Sequence, residues 1–216
     1  NNVVLGKEVL ALGNNNNVNG ENSTAIGTQS TADGINTLAI GTGAKAHVTN
    51  PAAANSNKPG NLVAIGTSAE ATAAETVAIG QAAKASGQNS NAYGSQANAS
   101  GTSSLAVGTG SVASNDSTVA IGNDSTVTGA SAVAVGASAT STGKWSTALG
   151  DSANAKGEKS VALSKDSYAK DDNSVALGSG TITRSATQEN TATVNGITYS
   201  GFAGNTPVAV VSVGSD

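Results

Sequence analysis

Large aliphatic, small and polar positions follow one another along this chain in a pattern with a single period. Val119-Ala120-Ile121 shows the unit: the two large residues share a parity, and therefore a face of an extended segment, while Ala120 points to the opposite face. Gly122 closes the unit, and the central alanine recurs at Ala11, Ala25, Ala39, Ala64, Ala78, Ala92, Ala106, Ala134, Ala148, Ala162 and Ala176. Ten of the eleven intervals are 14 residues, and the exception, from Gly41 to Gly66, is 25. A repeat this regular predicts a solenoid of about twelve 14-residue coils interrupted by one insertion of 11 residues.

Each coil carries a second, shorter alternation. Small residues stand three and five places beyond the glycine, as Ala69 and Ala71, Ala83 and Ala85, Ala97 and Ala99, and Ala153 and Ala155, and they predict a returning strand. A second turn is expected seven places after the first glycine, at Gly20, Gly34, Gly87, Gly101, Gly129, Gly143 and Gly157, or at Asn115 and Asp171. These are residue types that tolerate positive φ. The predicted fold class is all-β: a parallel β-roll with two short strands and two tight turns per coil.

An alanine at the centre of the first strand in every coil implies two sheets pressed closer than the ~10 Å of ordinary sheet packing, around a lumen of alanine and serine. The large flanking residues face away from that lumen. Val63, Ile65, Val77, Ile79, Val119, Ile121, Val133, Val135, Val175 and Leu177 thus form a continuous aliphatic stripe, larger than a soluble monomer usually exposes. Burying the two large side chains of one coil is worth roughly 3 to 6 kcal/mol. Self-association along the stripe is therefore expected. Because each coil offers the same surface, a closed ring of parallel rolls about one axis is the simplest arrangement. Asn91 and Tyr93 interrupt the stripe, and Asn91 sets an amide in that seam.

Composition narrows the classes of function. One Trp, one Phe, three Tyr and no Met fit a narrow interior rather than a thick sandwich. The net charge of −4 comes from scattered carboxylates, with no run of Lys or Arg to track a phosphate backbone, so no nucleic-acid partner is expected. The absence of Cys excludes disulfides and thiolate metal sites. No apolar stretch approaches the roughly 18 residues of a membrane span, and no signal peptide is visible. The chain opens at Asn1 in mid-pattern, which reads as an excised fragment whose export signal and membrane anchor lie outside it. An enzyme built on such a solenoid needs clustered carboxylates, histidines or a cofactor loop in a cleft. The sequence offers none, so no catalytic residue, cofactor or metal site is expected. Pairs such as Asn115-Asp116, Asn123-Asp124 and Asp171-Asp172 match neither known calcium-loop pattern and read as turn residues. Thr37, Thr76 and Thr118 are too scattered for an ice-binding face.

Asn173-Ser174-Val175-Ala176-Leu177-Gly178, with its near-copy Ser117-Thr118-Val119-Ala120-Ile121-Gly122, resembles the repeat motif of YadA-like heads in trimeric autotransporter adhesins. Tyr199-Ser200-Gly201-Phe202-Ala203-Gly204, followed by Val211-Ser212-Val213-Gly214, resembles the aromatic-glycine connector that leads into the neck of these proteins. The resemblance implies a left-handed parallel β-roll head over residues 1–180, a connector and the start of the neck over 181–216, and a parallel homotrimer. It also implies a coiled-coil stalk, a Gram-negative outer-membrane anchor, and attachment to host cells through an extracellular-matrix protein or an immunoglobulin-like cell receptor. A passive spacer or fibre module without its own ligand is the competing expectation. Ser164 in place of a turn glycine and the 11-residue insertion depart from the basic repeat.

Candidate ligand contacts fall at the irregular positions. The insertion lies within residues 47–60, and its two prolines suit an exposed loop between a returning strand and the next coil; His47, Asn50, Pro51, Asn55 and Lys58 are its candidates. Trp145, in the same turn column, is a candidate anchor for a protein or glycan. Six coils separate the two features, roughly 29 Å at ~4.8 Å per coil, so they are not expected to share one pocket. Tyr168 projects from a returning strand and completes the candidates. Asn22, Asn36, Asn61, Asn89 and Asn173 are expected to form a stacked amide ladder of structural value.

Overall fold

The computed structural model describes residues 1–48, 60–204 and 206–214. Among the described residues the chain winds as a solenoid whose coils each give one strand to each of two parallel sheets, of thirteen and twelve strands. Consecutive rungs stand in register: Leu105, Ala106 and Val107 pair with Val119, Ala120 and Ile121, which pair in turn with Val133, Ala134 and Val135. Residues 14 apart in sequence are therefore stacked neighbours.

The strands are short because the backbone turns every seven residues. Ser117, Asp124, Ser131, Ser138, Trp145 and Ser152 all adopt left-handed φ between 53° and 58°. Most residues of this column are Asn, Ser, Asp or Gly, which accept that conformation at least cost. The expected site of positive φ in the second turn is thereby corrected. Gly87, Gly101, Gly129, Gly143 and Gly157 are not left-handed; the left-handed residue lies two places further on. Glycine is held at those positions by close approach: a Cβ on Gly101 would sit 2.9 Å from Cα of Asn115 and closer still to its carbonyl group.

The lumen is as narrow as the alanine column requires. Ala120 and its equivalents from Ala25 to Ala176 are fully buried, as are Ala69, Ala71, Ala83 and Ala85 of the returning strands. Several corner hydroxyls donate to backbone carbonyls, Ser23 Oγ to Gly34 at 2.7 Å and Thr118 Oγ1 to Asn115 at 2.6 Å, whereas the buried hydroxyls of Ser104, Ser125 and Ser160 have no partner among the described residues. Asn16 enters the lumen with its amide satisfied: Oδ1 accepts from the Ser30 hydroxyl at 2.6 Å and Nδ2 donates to Leu12 O at 3.0 Å. The amide ladder forms across three coils, with Asn22 Nδ2 donating to Asn36 Oδ1 and Asn36 Nδ2 to Asn61 Oδ1, each at 3.3 Å.

The insertion leaves the roll's register intact. Leu38, Ala39 and Ile40 pair with Val63, Ala64 and Ile65, and Lys45 and Ala46 pair with Glu70 and Ala71. At the other end, Ile182 bridges to Tyr168 beyond Gly180. The strands Thr191–Val194 and Ile197–Ser200 then form an antiparallel hairpin, after which Val211–Val213 returns to pair with Val175–Leu177.

Candidate functional site

The two outer faces of the roll differ in chemistry. One sheet presents two residues per coil, Val63 with Ile65, Val77 with Ile79, Val119 with Ile121, Val133 with Val135 and Val175 with Leu177, all directed away from the fully buried alanine between them. In the single chain these side chains remain partly exposed, reaching 36% for Ile79 and 41% for Leu177. Asn91 and Tyr93 occupy the same rows, as do Thr24 and Thr147, so three coils interrupt the apolar face with a polar residue. Val211 and Val213, stacked on Val175 and Leu177, lengthen it by one rung.

The opposite sheet presents a mostly polar row, joined in its first coils by a second outward residue at Asn19, Asp33 and His47. Lys45, Glu70, Lys84 and Asn98 follow one another in its ladder. Glu70 accepts from Lys45 Nζ at 3.1 Å and faces Lys84 Nζ at 3.8 Å, a three-residue charge ladder on an exposed surface. Farther along the row, Tyr168 is half-buried between Asn154 and Ile182.

His47 ends a returning strand at the root of the insertion, with Nδ1 3.2 Å from Asp33 Oδ2 one coil earlier. Asn50, Pro51, Asn55 and Lys58 lie outside the described residues. Trp145 stands on the second-turn edge, 47% exposed, with left-handed φ of 58°. Lys144 Nζ lies 3.9 Å from the centre of its ring system and Lys159 Nζ 5.2 Å. The described candidates are thus dispersed: His47, Trp145 and Tyr168 occupy different coils and are not brought into one pocket. The two lysines were missed in the sequence reading although their signal was present. Lys144 precedes Trp145 directly, and Lys159 follows it by 14 residues, which the repeat makes a spatial neighbour; the same spacing joins Asp33 to His47.

Two turn carboxylates are engaged with the backbone of the preceding coil. Asp116 Oδ1 accepts from Thr102 N–H at 3.0 Å, and Asp172 Oδ1 accepts from Glu158 N–H at 2.8 Å. Among the described residues no three His, Asp or Glu side chains gather as a metal site.

The repeat aligns with a known family. The sequence model of the YadA head domain repeat matches ten overlapping segments that together span residues 10–50, 63–139, 141–163 and 165–181, well over half of the chain. No curated protein sequence matches. A similar solved structure is the collagen-binding domain of the Yersinia adhesin YadA, 27% identical, covering 78% of this chain and 78% of that one with a TM-score of 0.44. Heads of this family are non-enzymatic adhesion modules, the extracellular surface-exposed parts of outer-membrane trimeric autotransporters. The 14-residue rungs, each with an alanine at the centre of its first strand, are those repeats seen in three dimensions, and this chain belongs to the YadA head domain family, as the head of a trimeric autotransporter adhesin.

Proposed function

We propose that three copies of this chain assemble with their apolar sheets turned toward a common axis, and that the resulting head attaches a bacterium to a host surface. The observation that carries the assembly is the asymmetry of the roll. Val63, Ile65, Val77, Ile79, Val119, Ile121, Val133, Val135, Val175 and Leu177 share one face, whereas the other face carries Lys45, Glu70, Lys84 and Asn98. A largely aliphatic face of this length favours self-association, and rungs of one repeated geometry favour a closed ring of parallel chains. Membership of a family of trimeric heads supports the number three.

The turn edges, Trp145 among them, stay outward in this arrangement. The partner we infer is an extracellular-matrix protein or an immunoglobulin-like cell receptor, bound across several coils rather than in a pocket. A membrane anchor elsewhere in the adhesin would hold the head at the cell surface. The recombinant trimer should be retained on immobilised collagen, fibronectin, laminin or an immunoglobulin-like receptor in a surface binding panel. Retention on none of these, with attachment still mediated by the intact adhesin, would leave the head a passive spacer.

A further inference from the structure

We infer that Trp145, Lys144 and Lys159 form a binding site for an acidic glycan, a pyranose carrying a sulfate or carboxylate group. This rests on the adhesin-head reading and assigns a ligand class to one point of its surface.

Trp145 is out of place as a structural residue. The left-handed turn column is otherwise filled in its neighbourhood by Ser117, Ser131, Lys159 and Asn173, and a bulky aromatic side chain is among the least suited to that backbone conformation. Nothing is gained in the core in return, because the side chain is 47% exposed. The conformation is nevertheless fixed. Trp145 N–H donates to Ala130 O at 2.9 Å, and Lys159 N–H donates to Lys144 O at 2.8 Å, so both coils around the indole are clamped before any ligand arrives. Gly143 and Gly157, two residues before Trp145 and Lys159, leave the flank of the turn without side chains. Ser131, one coil earlier in the same column, is small.

The chemistry of the cluster selects the ligand. An indole offers a flat apolar face to the C–H face of a sugar ring, and two ammonium groups within 3.9 and 5.2 Å of that ring offer point charges to an anionic substituent. Glu158 already pairs with Lys159 at 3.0 Å, but both partners are about half exposed, and an incoming anion can compete for the lysine. A polypeptide partner is served less well here. Peptide recognition uses a free strand edge or a groove, whereas the strands next to Trp145 are paired on both sides.

Trp145 is the only tryptophan in the chain, so its fluorescence reports this site alone. The intact trimer would be titrated with a sulfated heparin-type hexasaccharide, with sialyllactose and with neutral lactose. Saturable change in emission with one or both acidic sugars, absent with lactose and weakened as salt is raised, is the expected result. The sulfated and sialylated arms separate the two anionic groups. Before ligand is added, iodide should quench the emission more efficiently than caesium, because the two ammonium groups concentrate anions at the ring. Trp145→Phe should keep the fold and lower affinity, and Lys144→Gln with Lys159→Gln should lower it about tenfold or more while abolishing its salt dependence. Three outcomes would overturn the site: no saturable response to either acidic sugar, equal response to lactose, or an indole in the trimer inaccessible to both quenchers. An acidic peptide producing the response in place of both sugars would also refute the glycan assignment. If the trimer binds host proteins while this site fails, the adhesive reading stands and only the glycan assignment falls.

Discussion

Gly122→Ala tests whether backbone approach between coils, rather than local flexibility, selects the first-turn glycine. Gly122 has φ 138°, a region that side chains of L-residues rarely occupy. A Cβ there would lie 2.5 Å from the carbonyl carbon of Gly136 and 3.1 Å from Ala137 N, with the carbonyl oxygen closer still. Two relaxations are open. Rotation out of this φ region costs ~1–3 kcal/mol of backbone strain elsewhere in the turn. Separation of the coils stretches the bonds from Gly122 N–H to Val107 O and from Gly136 N–H to Ile121 O, both 2.8 Å, each worth ~0.5–1.5 kcal/mol. By either route the loss is ~1–3 kcal/mol, read as a lowered chemical-denaturation midpoint with strand content followed by circular dichroism. The same column holds a natural counter-case, Ser164 at φ 112°. Ser164→Gly should raise the midpoint, by about 1 kcal/mol once the greater chain entropy of glycine is set against the strain relieved. A Gly122→Ala roll as stable as the parent, together with a destabilised Ser164→Gly roll, would refute the close-approach argument.

Ala120→Leu should damage the roll from inside, because Ala120 is fully buried with Ala106 and Ala134 stacked on either side; a loss of ~1–3 kcal/mol or more is expected, and an unshifted melting curve would show that the lumen has room. Deleting residues 49–59 restores the 14-residue interval between flanking rungs that are already in register. The shortened head should fold with stability changed by only ~1 kcal/mol, and loss of cooperative unfolding would contradict that. Glu70→Gln removes both ion pairs of the Lys45–Glu70–Lys84 ladder; because these pairs are exposed, the loss should stay within ~1 kcal/mol and shrink at high salt. A larger, salt-independent loss would place Glu70 in some other structural role.

Much of this architecture is legible in the residues because a solenoid converts period directly into neighbourhood. Ala120 follows Ala106 by one coil in sequence and lies beside it in space, so the lumen, the apolar face and the amide ladder from Asn22 to Asn61 could all be read by column. The second-turn glycines were harder. Glycine answers both to positive φ and to a missing Cβ, and only coordinates separate Gly101, crowded by Asn115, from Ser103 with φ 55°. The surroundings of Trp145 were legible in principle, since Lys159 is one period away, but whether a long side chain leans over the ring or into solvent is decided by rotamers that no column encodes. The return of Val211–Val213 to the rung of Val175–Leu177 escaped for a different reason: 36 residues separate the partners, and no repeat spacing announces the pairing.

The most direct test of the central claim is the mass of the head in solution by light scattering, for the parent and for Val119→Asp. The apolar-face account predicts three chain masses for the parent. It predicts a lower or heterogeneous mass, with an earlier melt, once a carboxylate enters the stripe beside Ile121 and between Leu105 and Val133. A parent of one chain mass, or a Val119→Asp head with mass and melting unchanged, would contradict it.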